Sequence, residues 1–234
     1  VKVAIHQPHY LPWLGYLAKW AAADLLVFLD TVQYEKNGWQ NRNRIKTKDG
    51  PRWLTVPVRA RLGTPIAEVE IDTRQDWGRR HLRAIEHAYA RAPHFERYAP
   101  TLAAFYARPW ARLAPLALAS AGWLAAAVGI ATPTRVASDL AVSATDPTGR
   151  LVALCRAVGA TEYLAGSHGV DYLDLAQFKA AGVAVRVQAY THPVYAQPHG
   201  KFVPFLSGLD LLLTHGDESL AILRRGDGWS ELSG

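Results

Sequence analysis

The sequence predicts an α/β fold: a mostly parallel, Rossmann-like sheet with flanking helices and a helical insertion or cap. Three features carry the prediction. Residues 3–29 read as strand, polar loop, helix, strand, with apolar runs at 3–5 and 25–29. Continuous apolar runs mark strands buried on both faces, and parallel neighbours need a crossover helix. Residues 73–130 show only helical periodicity, and a strand–helix rhythm returns between 135 and 188.

Each element follows from its local pattern. Residues 14–23 form the first crossover helix, and the strand 25–29 ends at Asp30. A polar loop occupies 33–44, a turn 48–51 and a strand 53–58, with Pro57 placing it near an edge. A short strand at 67–71 completes a β-rich patch, read as a hairpin appended to the sheet. Asp76 is placed to cap a helix reaching Tyr89, with Trp77, Leu82, Ile85 and Ala88 on one face. Helices at 96–107 and up to 128 follow, the last stopped by Gly129. Then come a strand at 135–138, a helix from Pro147 to 157, a strand at 162–165 and a small-residue turn at 166–169. A helix at 171–181, a strand at 183–188 and helices at 206–213 and 220–223 complete the chain.

The chain has 234 residues, half of them apolar. That suits a single α/β domain over 1–234, in which 73–130 is either a cap subdomain or a layer on one sheet face. Cys155 is the sole cysteine, so no internal disulfide can form, and its helical context makes it a buried small hydrophobe. No leader is expected, because the first residues enter a strand directly. The apolar stretch 113–130 is alanine-rich and contains Pro115, Ser120, Gly122 and Gly129, so it reads as a buried helix and not a membrane span. The net charge of +6 points to an anionic partner. The basic residues are scattered and no nucleic-acid-binding signature is present, so a small anionic molecule is the expected partner and nucleic acid is disfavoured. Oligomeric state is open.

Loops after parallel strands gather at one edge, where open α/β sheets bind ligands. His6 ends the first strand, and its imidazole titrates near neutral pH, which makes it the candidate general base. Asp30 ends the second strand as its catalytic partner. Gln7, Tyr10, Trp13, Tyr16 and Lys19 follow His6 on the same edge. After Asp30 come Gln33, Lys36, Trp39, Asn41, Arg42 and Arg44. Such a set is costly to bury unpaired and suited to gripping an anion, with Arg42 and Arg44 on phosphate or carboxylate and Trp13 and Trp39 stacking. Thr148 and Arg150 open a helix, although Asp146 can simply cap it. Gly166 and Ser167 lie in a turn that lets backbone amides approach an anion, with Tyr172 just beyond. Gln188, Tyr195, Gln197 and His199 form a third polar loop, expected to meet His6, Gln7 and Tyr10 across the edge. His6 and His9 lie three apart, but no zinc-ligand pattern occurs. A divalent metal accompanying a nucleotide-activated donor, with Asp30 as a ligand, is the cofactor arrangement that stays open.

Several long motifs carry a resemblance: HQPHYLPWLGYLAKW at 6–20, DLLVFLDTVQYEKNGWQNRNRIK at 24–46, WLTVPV at 53–58 and TDPTGRLVALC at 145–155. GATEYLAGSHGVDYLD at 159–174, VQAYTHPVYAQ at 187–197 and FVPFLSGLDLLLTHG at 202–216 extend it in the same order. Together they resemble the WbqC-like protein family over nearly the whole chain. The resemblance implies a cytoplasmic bacterial protein associated with surface-polysaccharide or glycoconjugate biosynthesis. It does not bring a settled reaction. The expectation is a transferase acting on a nucleotide-activated or anionic substrate, with acyl or aminoacyl transfer to an amino sugar fitting those pathways. The alternatives are a nucleotidyltransferase-like enzyme and a non-catalytic nucleotide-sugar-binding protein. The order strand, proline-rich turn, helix, strand ending in Asp is also similar to HUP-type nucleotidyltransferases. The turn at 12–16 lacks both histidines of that class, so only site position carries over.

Overall fold

The computed structural model describes residues 1–167 and 173–232. The chain begins with β1 (Lys2–His6), α1 (Leu14–Ala22) and β2 (Leu25–Phe28), and β1 and β2 pair in parallel. Two small antiparallel pairs follow: β3 (Arg42–Thr47) with β4 (Gly50–Thr55), and β5 (Val58–Arg59) with β6 (Glu70–Ile71). The helices α2 (Trp77–Tyr89), α3 (Phe95–Ala107) and α4 (Leu113–Val128) come next. The sheet then resumes with β7 (Thr134–Val136), α5 (Pro147–Ala157), β8 (Glu162–Ala165), α6 (Leu175–Ala180) and β9 (Ala184–Gln188). The chain closes with α7 (Gly208–His215), α8 (Ser219–Arg224) and β10 (Trp229–Glu231).

The main sheet has six strands in the order β10-β9-β8-β1-β2-β7, parallel except for β10 on β9. β1 is therefore interior, and its apolar run reflects burial on both faces. Val3 and Ile5 pack with Val27, Tyr163, Val185 and Val187 under Leu154 and Cys155 of α5 and Phe178 of α6. Ala4 faces the other way, into a cluster with Leu26, Leu164 and the α1 residues Leu14 and Leu17. That second cluster also contains Trp77, Ile85, Leu102 and Leu116, so the helical stretch 73–130 shares the core that covers β1. Asp146 starts α5 by accepting from the Gly149 amide at 2.8 Å, with Pro147 in the first turn. Such a cap contributes about 1 kcal/mol. Gly129 ends α4 at φ 97°, and its amide bonds the carbonyls of Ala125 and Ala126.

Several local expectations give way. The β-rich patch stands apart from the main sheet as two separate pairs, and β3 begins at Arg42, inside the stretch expected to be a loop. The expected strand at 67–71 is a 3-10 turn (Ile66–Glu68) followed by the two-residue β6. Asp76 makes no capping hydrogen bond; its carboxylate pairs with Arg79 at 3.4 Å. The helix expected at 171–181 is the shorter α6, begun by Asp174, which accepts from the Ala176 amide. β10 was not expected, because Trp229–Glu231 is too short and too polar to show a strand period.

Candidate functional site

Parallel β1, β2, β8 and β9 end together, so His6, Asp30, Gly166 and Gln188 sit at one edge of the sheet. His6 is the last residue of β1, and its carbonyl accepts from the Leu29 amide at 2.8 Å. Its ring meets His9 edge-on at 4.7 Å between centroids and lies 4.3 Å from Tyr16. His9 and Tyr16 are 5.1 Å apart. His6 Nδ1 lies 3.2 Å from the Gln7 carbonyl. A carbonyl can only accept, so Nδ1 carries the proton and Nε2 keeps a lone pair. Tyr16 Oη also donates to the Gln7 carbonyl, at 3.1 Å.

Burial sets the charge state of this cluster. Burial, with Lys19 and His9 nearby, holds the His6 imidazole well below its ordinary value. Burial, with Lys19 beside it, takes His9 down to about 3. The Lys19 ammonium is lowered by burial to about 7, and burial raises the Tyr16 phenol. Desolvation disfavours the charged form of each group, which leaves both imidazoles neutral at pH 7.

The loops behind this edge are fastened by polar residues, among them Gln7, Asn41 and Gln188, which the sequence suggested for ligand contact. Gln40 donates to Gln7 Oε1 at 2.6 Å, and the Tyr10 amide donates to the Gln40 carbonyl. Asn43 donates to the Leu11 carbonyl at 2.7 Å, and Asn41 to the Val56 carbonyl at 2.8 Å. Leu11 is held at φ 45°, with its amide on Ser120 Oγ. A left-handed branched residue costs of the order of 1–3 kcal/mol and persists only where neighbours hold it. Tyr10 lies wholly in the core, where its hydroxyl meets His81 Nδ1 at 3.0 Å and the Tyr106 hydroxyl. Asp30 is buried, and both its oxygens are engaged by Ser138, from the amide at 3.0 Å and from Oγ at 2.7 Å. Gln188 donates to the Gly15 carbonyl at 2.9 Å, which ties β9 to the start of α1.

Other expected site residues gather elsewhere. Gln33, Lys36, Asn41 and Arg42 line a concavity of about 860 Å³ with Glu35 and Arg61. Arg42 donates to the Gly38 and Asn37 carbonyls and lies 4.3 Å over the Trp53 ring. Arg44 donates to the Phe205 carbonyl at 3.2 Å and also faces Trp53. Trp39 is exposed and 5.3 Å from Trp53, whereas Trp13 packs against Phe205 and Tyr190. Thr148 is buried and accepts from the Asp174 amide; Arg150 lies on the first turn of α5, and Ser167 is exposed. Tyr195, Gln197 and His199, expected opposite His6, are engaged at other places: Tyr195 with Asp210, Gln197 with Val203, and His199 with the Ala88 carbonyl. Tyr172, together with the turn residues His168 and Gly169, lies outside the described residues. Among the described residues no three His, Cys, Asp or Glu side chains converge as metal ligands.

Sequence pattern singled out His9 only as half of a metal pair, yet it is buried against His6. It also gave no weight to Asp210, which accepts from Tyr89 at 2.7 Å and from Tyr195 at 2.9 Å inside the core. The signal was an acid inside the apolar helical run LDLLL, because an acid there must be paired.

A family model described as WbqC-like protein family matches residues 7–222. The chain is 38% identical over 228 residues to the uncharacterized protein Rv1507c of Mycobacterium tuberculosis (strain ATCC 25618 / H37Rv), covering 95% of this chain and 97% of that one. No solved structure matches. No helix among the described residues is long and apolar enough to cross a membrane.

Proposed function

The chain belongs to the WbqC-like family, and on that premise we propose that it is a transferase working at the carboxyl edge of its parallel sheet on a nucleotide-activated or otherwise anionic substrate. The observation that carries the reading is the His6 environment. His6 ends an interior strand, its Nδ1 is oriented by the Gln7 carbonyl, and its ring is kept neutral beside His9 and Lys19. A neutral imidazole with a free Nε2 is what a general base needs to take a proton from an attacking amine or hydroxyl. The basic concavity at Lys36, Arg42 and Arg61 supplies donors for a further anionic part of a donor molecule. Asp30, fastened to Ser138, keeps the β2 end of this edge in place.

Acyl or aminoacyl transfer to an amino sugar, in a cytoplasmic pathway of surface-polysaccharide or glycoconjugate assembly, is the reaction class that fits these groups. Nucleotidyl transfer is the second reading, favoured by the contacting His6–His9 pair ahead of α1. Thermal-shift screening of nucleotides and nucleotide sugars, followed by mass spectrometry of each stabilising compound with candidate acceptors, tests both. The transferase reading expects a mass gain of the acceptor matching the donated group. Stabilisation with no conversion of any compound favours a binding protein instead.

A further inference from the structure

Lys19 is 3% exposed, on α1, and its Nζ has one long hydrogen bond, 3.4 Å to the Ile5 carbonyl. An ammonium has three protons to place, and a buried charge is costly unless paired. The chain's other deeply buried lysine shows how a structural role is met. Lys46 Nζ donates to the Gly200 and Lys201 carbonyls at 3.2 and 2.6 Å, and Asp210 stands close enough to favour its charge. Lys19 has no such support among the described residues. Its neighbours are basic: His6 at the lip, and His9, 7% exposed, whose Nδ1 is buried with no partner. The edge carboxylate of Asp30 is engaged on both oxygens by Ser138. Gly166 stands beside Lys19: a Cβ there would come into van der Waals contact with Lys19 Nζ, at 3.7 Å. Lys19 therefore keeps unused donors beside His6 and His9, with no counter-charge among the described residues, where the facing strand ends without a side chain.

We infer that Lys19, with His9 beside it, forms the seat of a doubly charged oxyanion, a phosphate group of the substrate, with Gly166 leaving room for it. This rests on the reading of the same edge as the substrate site and names the part of the substrate bound there. The anion supplies the counter-charge that the described residues omit. The titratable groups of the cluster are His6 from β1, His9 from the following loop, and Tyr16 and Lys19 from α1. Gly166 after β8 and Gln188 of β9 add no charge. Burial keeps Lys19 near 7 in the free protein. A bound dianion raises that value, so binding above pH 7 draws a proton into the site and weakens as pH rises.

Sulfate is the probe, because it keeps its double charge across the whole range. In protein carrying 13C-labelled lysine, the Lys19 signal is assigned by its loss in Lys19→Met. In saturating sodium sulfate, against sodium chloride of equal ionic strength, its titration midpoint rises by about one unit or more, and sulfate affinity falls up to about tenfold per pH unit above neutrality, the limit for one linked proton. Gly166→Ala keeps the fold and weakens sulfate binding at least tenfold. A Lys19 signal that titrates alike with and without sulfate overturns the proposal, as does undiminished sulfate binding by folded Lys19→Met. Loss of turnover in His6→Ala with Lys19 unmoved by sulfate leaves the transferase reading standing and removes the phosphate seat. A Lys19 signal moved by sulfate, with full turnover in His6→Ala, keeps the seat and removes the catalytic role of His6.

Discussion

Asp210→Ala is expected to be among the most damaging single changes in the chain. The carboxylate is fully buried and accepts from Tyr89 at 2.7 Å and Tyr195 at 2.9 Å. Tyr89 Oη in turn accepts from the Lys46 amide at 3.0 Å, so α2, β3 and α7 meet at this one group. Removing it strands two buried hydroxyls and takes from Lys46 the charge that favours its ammonium. Breaking a buried charged network by deleting one partner costs about 3–5 kcal/mol. For a chain of this size each kcal/mol moves Tm by about 2–4 °C, so the expected loss is of the order of 10 °C. Asp210→Asn keeps the shape, accepts from one tyrosine and donates to the other, and should cost less than half as much. Burial raises the Asp210 carboxyl above the ordinary 3.8. Its contribution to stability is therefore greatest at low pH and is lost as pH rises through the raised value, and Asp210→Asn removes that slope. Urea unfolding and thermal melts across pH 4–8 read all three effects. A loss within about 1 kcal/mol for Asp210→Ala would refute the reasoning, since an unpaired pair of buried hydroxyls alone exceeds it.

Other outcomes follow from the same geometry. Ser138→Ala removes the Oγ donor to Asp30 and should lower stability by about 1.5–3 kcal/mol in urea unfolding, the range for a hydrogen bond to a charged group. Gly15→Ala would put a Cβ 2.2 Å from the Trp13 ring, so the ring must move; a cost of about 1–3 kcal/mol and a changed tryptophan fluorescence are expected. Burial pushes the Cys155 thiol up to about 12, so Ellman's reagent should label it only after denaturant is added. Because the His6 imidazole lies well below its ordinary 6.5, the acid limb of kcat/KM should fall below pH 6.5 rather than at it.

Much of the architecture was legible because burial on both faces writes itself into sequence. The apolar runs at 3–5 and 25–29 read as interior strands, and together with the strands at 162–165 and 183–188 their parallel order brings His6, Asp30, Gly166 and Gln188 to one edge. In the amide-rich stretch 40–43, composition shows which groups are polar but not what they bond. Side-chain amides can fasten one loop to another's carbonyls as readily as they can hold a ligand, and Asn41 and Asn43 do the first. Tyr195 and His199 were grouped with the edge because they follow β9, yet a long loop can carry side chains far from the strand it leaves. The contacts of Lys46 with the Gly200 and Lys201 carbonyls, and the nearby Asp210 charge, span separations that no periodicity encodes, and only the fold shows that Lys19 lacks the support Lys46 receives.

The central claim is that His6 is the base of a transfer reaction at this edge. The direct measurement is turnover by His6→Ala, followed by mass spectrometry, on a donor and acceptor pair that the wild type converts. The account predicts a fall of about 10²–10⁴ in kcat, with the donor's thermal stabilisation of the protein retained. Full turnover in a folded His6→Ala protein would contradict it.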